Sequence, residues 1–166
     1  MIYDYEGKKG YVSLWIGKCK DYNTIDKYLS TLYFDEGIEE VEHNDIWKKL
    51  FIPDNQDRDC EEELKENFNY EYFNQFEYDF GLSFDEDYRE ANVLDCDIKN
   101  LEELFDGFSY CDSFLSKIKE LEENCHWSEY NTAIVLYDFK YEGDILEVEH
   151  ENIHLYFLGY LKYDNE

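Results

Sequence analysis

Positive charge is what this chain has least of. Fifteen lysines and arginines, of which only Arg58 and Arg89 are arginine, stand against 42 aspartates and glutamates, a formal net charge of −27 in 166 residues. So negative a surface repels nucleic acid and anionic membranes at long range, so neither is an expected partner. Proline is nearly absent, with Pro53 alone, and glycine numbers eight. No Pro- or Gly-rich linker divides the chain, and one domain over residues 1–166 is expected. No apolar run approaches the ~20 residues of a membrane-spanning helix. The five cysteines, Cys19, Cys60, Cys96, Cys111 and Cys125, are odd in number and form no Cys-x-x-Cys pair. Met1–Glu6 is not a basic segment leading into an apolar one, so reduced thiols in a cytoplasmic protein are the expectation. The glycine patterns of P-loops and dinucleotide folds are missing, as is a Gly-x-Ser-x-Gly elbow. Nothing recruits an enzyme, and no cofactor is expected.

What is present argues for a folded chain. Aromatic residues make up 19% and hydrophobic residues 43%, far above the composition of acidic disordered tails. The charge is unevenly spread: residues 1–34 hold four acids and five bases, residues 35–106 hold 25 and six, and residues 107–166 hold 13 and four. Tyr11–Ile16 alternates as a strand that Gly17 should end. Asn23 is placed as the N-cap of a helix with Ile25, Tyr28, Leu29, Leu32 and Tyr33 on one face. Trp15 and Tyr28 are expected in the core. Residues 35–58 are acidic and loop-like, with a turn at Pro53 and a short helical piece around Ile46–Phe51. Asp59 should cap a helix that opens with Glu61–Glu63, carries Phe68, Tyr72, Phe73, Phe76 and Phe80, and stops at Gly81. Asn100 and Glu103 form a capping box before Leu101, Leu104, Phe105 and Phe108. Phe114, Leu115, Ile118 and Leu121 predict another helix. Thr132–Tyr141 and Ile153–Tyr163 are strand-like, with a turn at Gly143-Asp144 and a short strand over Leu146–Val148. The order predicts an α+β fold, an antiparallel sheet packed by several helices.

Two constellations invite a chemical reading. His150-Glu151-Asn152-Ile153-His154 matches H-E-x-x-H, which binds zinc when a helix sets both histidines one turn apart. Its surroundings read as strand, where the two histidines would share a face ~13 Å apart, too far for one ion. The match of His150, Glu151 and His154 is therefore taken as fortuitous, and no metal site is expected. Asp85-Glu86-Asp87 lacks the central glycine and the spacing of a calcium loop. With Tyr88, Glu90, Asp95 and Asp97 it is instead the expected partner-binding surface, carboxylates beside an aromatic.

Several stretches together resemble the immunity protein 22 family of bacterial polymorphic toxin systems. Tyr11–Gly17 followed by the helix with Tyr28-Leu29 resembles its opening. Phe76–Leu82 and Phe84–Ala91 resemble its central segment, and Tyr156–Tyr163 its closing strand. The acidic stretch from Asp35 to Asp59 is longer than the family pattern. The resemblance implies a non-catalytic protein that binds and neutralises a cognate bacterial toxin. The acidity adds the expectation that this toxin is basic and of nuclease type. The alternatives are an acidic DNA mimic or regulator of basic host proteins and, remotely, a zinc hydrolase built on the H-E-x-x-H residues.

Overall fold

The computed structural model describes residues 9–33, 72–98, 100–124 and 129–163. The loop expected over 35–58, its helical piece, and the Asp59 cap with Glu61–Glu63 and Phe68 lie outside these residues. The fold is α+β, as the element order implied: a five-stranded antiparallel sheet with helices on both faces. Its strands are β1 (Tyr11–Cys19), β4 (Arg89–Ile98), β5 (Tyr130–Tyr137), β6 (Glu147–His150) and β7 (Ile153–Lys162), in the order β4-β5-β1-β7-β6. Strands β2 (Thr31–Tyr33) and β3 (Tyr72–Asn74) form a separate antiparallel pair. The helices are α1 (Tyr22–Leu29), α2 (Gln75–Phe80), α3 (Leu101–Phe105) and α4 (Cys111–Phe114), with 3-10 segments over Glu86–Tyr88 and Leu115–Asn124.

The central strand β1 and its neighbour β5 are buried on both faces, so they read as near-continuous apolar runs. Val12, Leu14 and Ile16 face α3, α4 and the long 3-10 segment, packing with Phe105, Phe114 and Ile118. Trp15 and Cys19 face α1 and α2, packing with Ile25, Tyr28, Phe76 and Phe80. Trp15 is fully buried, with the rings of Phe157, Phe76, Tyr141 and Phe80 centred 4.9, 5.0, 5.5 and 5.7 Å away. Tyr28 is fully buried too, so both expected core aromatics are where the sequence put them.

Several boundaries differ from the sequence expectation for local reasons. Gly17 does not end β1. It lies within the strand, where a Cβ would collide with the His154 carbonyl oxygen of β7. Asp21, not Asn23, caps α1: its Oδ1 accepts from the Thr24 amide at 2.8 Å and the Thr24 hydroxyl at 2.7 Å. The helix stops at Leu29, and Leu32 and Tyr33 leave the expected helical face to pair in β2 with Phe73 and Tyr72 of β3. Those two residues are thereby strand rather than helix. Asn74 then starts α2 by accepting from the Glu77 amide at 3.0 Å, and Gly81, in the left-handed region (φ 66°), closes it as expected. Asn100 caps α3, but through the amide of Glu102 rather than Glu103. The expected fourth helix is one α turn that tightens into 3-10. Strand β5 starts earlier and stops at Tyr137, because Asp138 takes φ 51°. The short strand expected over Leu146–Val148 is β6, two residues longer at its end. In β7 the register shifts by one residue opposite Leu14/Trp15. The shift moves inward-facing positions from Ile153, Leu155 and Phe157 on one face to Leu158, Leu161 and Tyr163 on the other.

Candidate functional site

Strand β4 is not legible in the sequence; it carries Glu90, Asp95 and Asp97, and the turn that leads into it carries the other four candidates. The chain enters it from two buried anchors, Leu82 and Phe84. Asp85 starts a 3-10 turn by accepting from the Asp87 amide at 2.9 Å, and its carbonyl accepts from the Tyr88 amide at 2.9 Å. Glu86 Oε1 accepts from the Thr31 amide at 3.0 Å, which pins the turn to β2. Asp85, Glu86, Asp87 and Tyr88 all remain exposed, Tyr88 at 45%. A short, tethered turn thus presents three carboxylates and an aromatic ring to solvent.

The next two residues leave on opposite faces, as strand alternation requires. Arg89 Nη2 lies 3.5 Å from Asp26 Oδ1 of α1. Glu90 turns to the other face, where its Oε1 and Oε2 accept from the Ser109 amide at 3.1 and 3.4 Å. The Tyr137 hydroxyl lies 3.0 Å from Glu90 Oε1 and 2.8 Å from the Ser109 carbonyl oxygen. Burial, then the Glu90 carboxylate, push the Tyr137 phenol far above its ordinary pKa. Tyr163 is raised as well, by burial and by donating to Asp138 Oδ1 at 2.8 Å. Both phenols therefore stay protonated donors at any physiological pH. Asp138 Oδ1 also accepts from the Gly10 amide at 2.9 Å.

These residues wall a concave pocket of about 400 Å³. Asp87, Tyr88, Arg89 and Glu90 form one side, and Ser109, Tyr110, Tyr137, Asp138 and Tyr163 the other. The rings of Tyr110, Tyr137 and Tyr163 pack mutually, with centroids 5.8–5.9 Å apart. Tyr110 and Asp138 both hold left-handed backbone (φ 57° and 51°), a conformation that costs non-glycine residues energy.

Asp95 and Asp97 do not join this group. Five residues beyond Glu90 along an extended strand, Asp95 is roughly 16 Å away. There β4 parts from β5 between Val93 and Ile98, which leaves Asp95, Cys96 and Asp97 exposed. Asp97 Oδ2 pairs with Lys18 Nζ at 3.0 Å. The seven candidates thus form two patches, Asp85–Glu90 at the pocket and Asp95–Asp97 at the far end of β4. The second wall, Tyr110, Tyr137, Asp138 and Tyr163, escaped sequence reasoning, since it comes from three segments distant in the chain.

The H-E-x-x-H residues form a hairpin rather than a helix or one continuous strand. His150 ends β6, Glu151-Asn152 make the turn (Asn152 φ 69°), and His154 lies in β7 opposite Glu149. His150 is on the same face as its partner Ile153, so His154, one residue further, is on the opposite face rather than the shared one expected. Their imidazoles serve different carboxylates. His150 Nε2 is 2.6 Å from Asp79 Oδ2, and His154 Nε2 is 2.6 Å from Glu147 Oε1. Asp79 also accepts from the Tyr28 hydroxyl at 2.6 Å and from Gln75 Nε2 at 3.0 Å. That network joins α1, α2 and β6. Among the described residues no three His, Cys, Asp or Glu side chains are placed to hold a metal ion, and no helix is long and apolar enough to cross a membrane.

No curated protein and no solved structure matches the chain. The family model described as Immunity protein 22 matches residues 12–164, from the first core position of β1 through the end of β7. That span takes in both helical layers, the turn at Asp85–Tyr88 and both walls of the pocket. With nearly the whole fold matched, the chain belongs to the immunity protein 22 family, whose members serve in toxin-neutralising immunity.

Proposed function

We propose that the chain neutralises its cognate toxin by stoichiometric binding, without catalysis, and that the toxin is a basic domain of nuclease type. The observation that carries this reading is the tethered turn at Asp85–Tyr88, which holds three exposed carboxylates and an exposed ring at the entry to the edge strand β4. A net charge of −27 steers a cationic partner to such a surface, and an aromatic beside it supplies desolvated contact once the partner has docked. A toxin that holds a polyanionic substrate presents the complementary sign. Asp85, Glu86, Asp87, Tyr88 and Glu90 make the proposed contact, with Asp95 and Asp97 as a separate outer patch. The test is neutralisation: the purified cognate toxin, assayed on DNA and RNA, loses activity at a one-to-one ratio with this protein. Undiminished activity at excess protein would remove the proposal.

A further inference from the structure

We propose that the tyrosine-walled pocket between the Asp85–Tyr88 turn and the ends of β5 and β7 is a receptor for a single arginine side chain of the toxin. The inference rests on the immunity reading and adds the chemistry of the anchor. The pocket is concave, about 400 Å³, within the range of sites that enclose a small ligand group. Its charge selects a cation. Among the described residues that line it, Asp87, Glu90 and Asp138 stand against one base, Arg89, whose guanidinium is directed at Asp26 of α1. Its aromatics favour a flat cation. Tyr88 and Tyr110 are 45% and 51% exposed, so ring surface remains open although the Tyr110 ring is steadied by Tyr137 and Tyr163. Guanidinium stacks on such rings and can pair with a carboxylate through two parallel hydrogen bonds, which ammonium cannot do.

The same protein already seats a cation on tyrosine elsewhere. Lys140 Nζ lies 4.7 Å from the Tyr160 ring centroid and 5.1 Å from that of Tyr11. A visiting side chain would repeat that arrangement at a site with three carboxylates around it. Glu90 and Asp138 are already oriented, by the Ser109 amide and by the Gly10 amide and Tyr163 hydroxyl. Binding therefore costs little ordering of the protein.

The experiment has two arms. In the first, the free protein is titrated with N-acetyl-arginine amide and, separately, with the uncharged isostere N-acetyl-citrulline amide, followed by amide NMR. Shifts confined to Glu90, Ser109, Tyr110 and Asp138 with arginine, and lost in the variant carrying D87N and Y88A, are expected. Equal shifts with citrulline, or shifts spread over the acidic surface, would overturn the pocket. In the second arm the same double variant is bound to the toxin, and a rise in Kd of at least about tenfold is expected. An unchanged Kd beside a tight wild-type complex overturns the arginine anchor and leaves the immunity reading standing. Failure of the wild type itself to bind removes that reading, and the first arm still decides the pocket.

Discussion

Replacing Glu77 by glutamine should make the protein less sensitive to alkali. Glu77 sits on α2 with 4% of its surface exposed. Its Oε1 accepts from the Phe84 amide at 3.2 Å, while Oε2 has no hydrogen-bond partner among the described residues. Burial raises its pKa from 4.5 to about 7, with a further push from the Glu86 charge and partial relief from the Phe84 amide. The folded state therefore holds this proton more tightly than the unfolded state does. Its contribution is fully present below pH 4.5 and is lost as pH rises through about 7. Between pH 5 and pH 8 the two pKa values imply a loss of about 2.5 kcal/mol from this group alone. Glutamine keeps an acceptor for the Phe84 amide and cannot ionise. Urea unfolding of wild type and E77Q at both pH values isolates the effect, since the other carboxylates cancel in the comparison. The variant should gain on wild type by about 2.5 kcal/mol over that range. Parallel pH profiles for the two proteins would refute the reasoning.

Three other changes follow from the geometry. G17A should cost roughly 3 kcal/mol in thermal or urea unfolding, because the new Cβ meets the backbone of β7 rather than a side chain that can turn aside. A cost under half a kcal/mol would show that β1 and β7 approach less closely. D79A should destabilise by about 3 kcal/mol by removing the acceptor that Tyr28, Gln75 and His150 share, whereas Y28F should cost about 1. Equal losses would mean that the three contacts are not one network. The triple variant D85N, E86Q and D87N keeps acceptor oxygens for the Asp87 and Thr31 amides, so its unfolding midpoint should stay put. Its association with the toxin should slow about tenfold at low salt, read by stopped flow. An unchanged rate would place the contact elsewhere.

How much was legible depended on whether the signal was local. The β1 run, the closing strand, the core positions of Trp15 and Tyr28, and the α+β class were legible, because apolar periodicity is a property of adjacent residues. The exit from α1 was not. Leu32 and Tyr33 continue the helical spacing, and only pairing with Tyr72 and Phe73, some forty residues on, makes them strand. Strand β4 was hidden for a different reason. Its acids at Glu90, Asp95 and Asp97 break the apolar pattern, since it lies at the edge of the sheet and ends in a register shift. The acidic half of the candidate site was visible as composition at Asp85–Glu90. The tyrosine half, assembled from Tyr110, Tyr137 and Tyr163, exists only after folding. The histidine pair shows the converse: spacing suggested a metal motif, and a two-residue turn put the two rings on opposite faces.

The most direct measurement of the central claim is the association rate with the cognate toxin, taken across a series of ionic strengths. An acidic surface that captures a basic toxin predicts a fast rate at low salt that falls steeply as the Debye length drops below ~10 Å, with dissociation changing far less. An association rate indifferent to salt, in a complex that still neutralises the toxin, would contradict charge-steered capture through the Asp85–Glu90 surface.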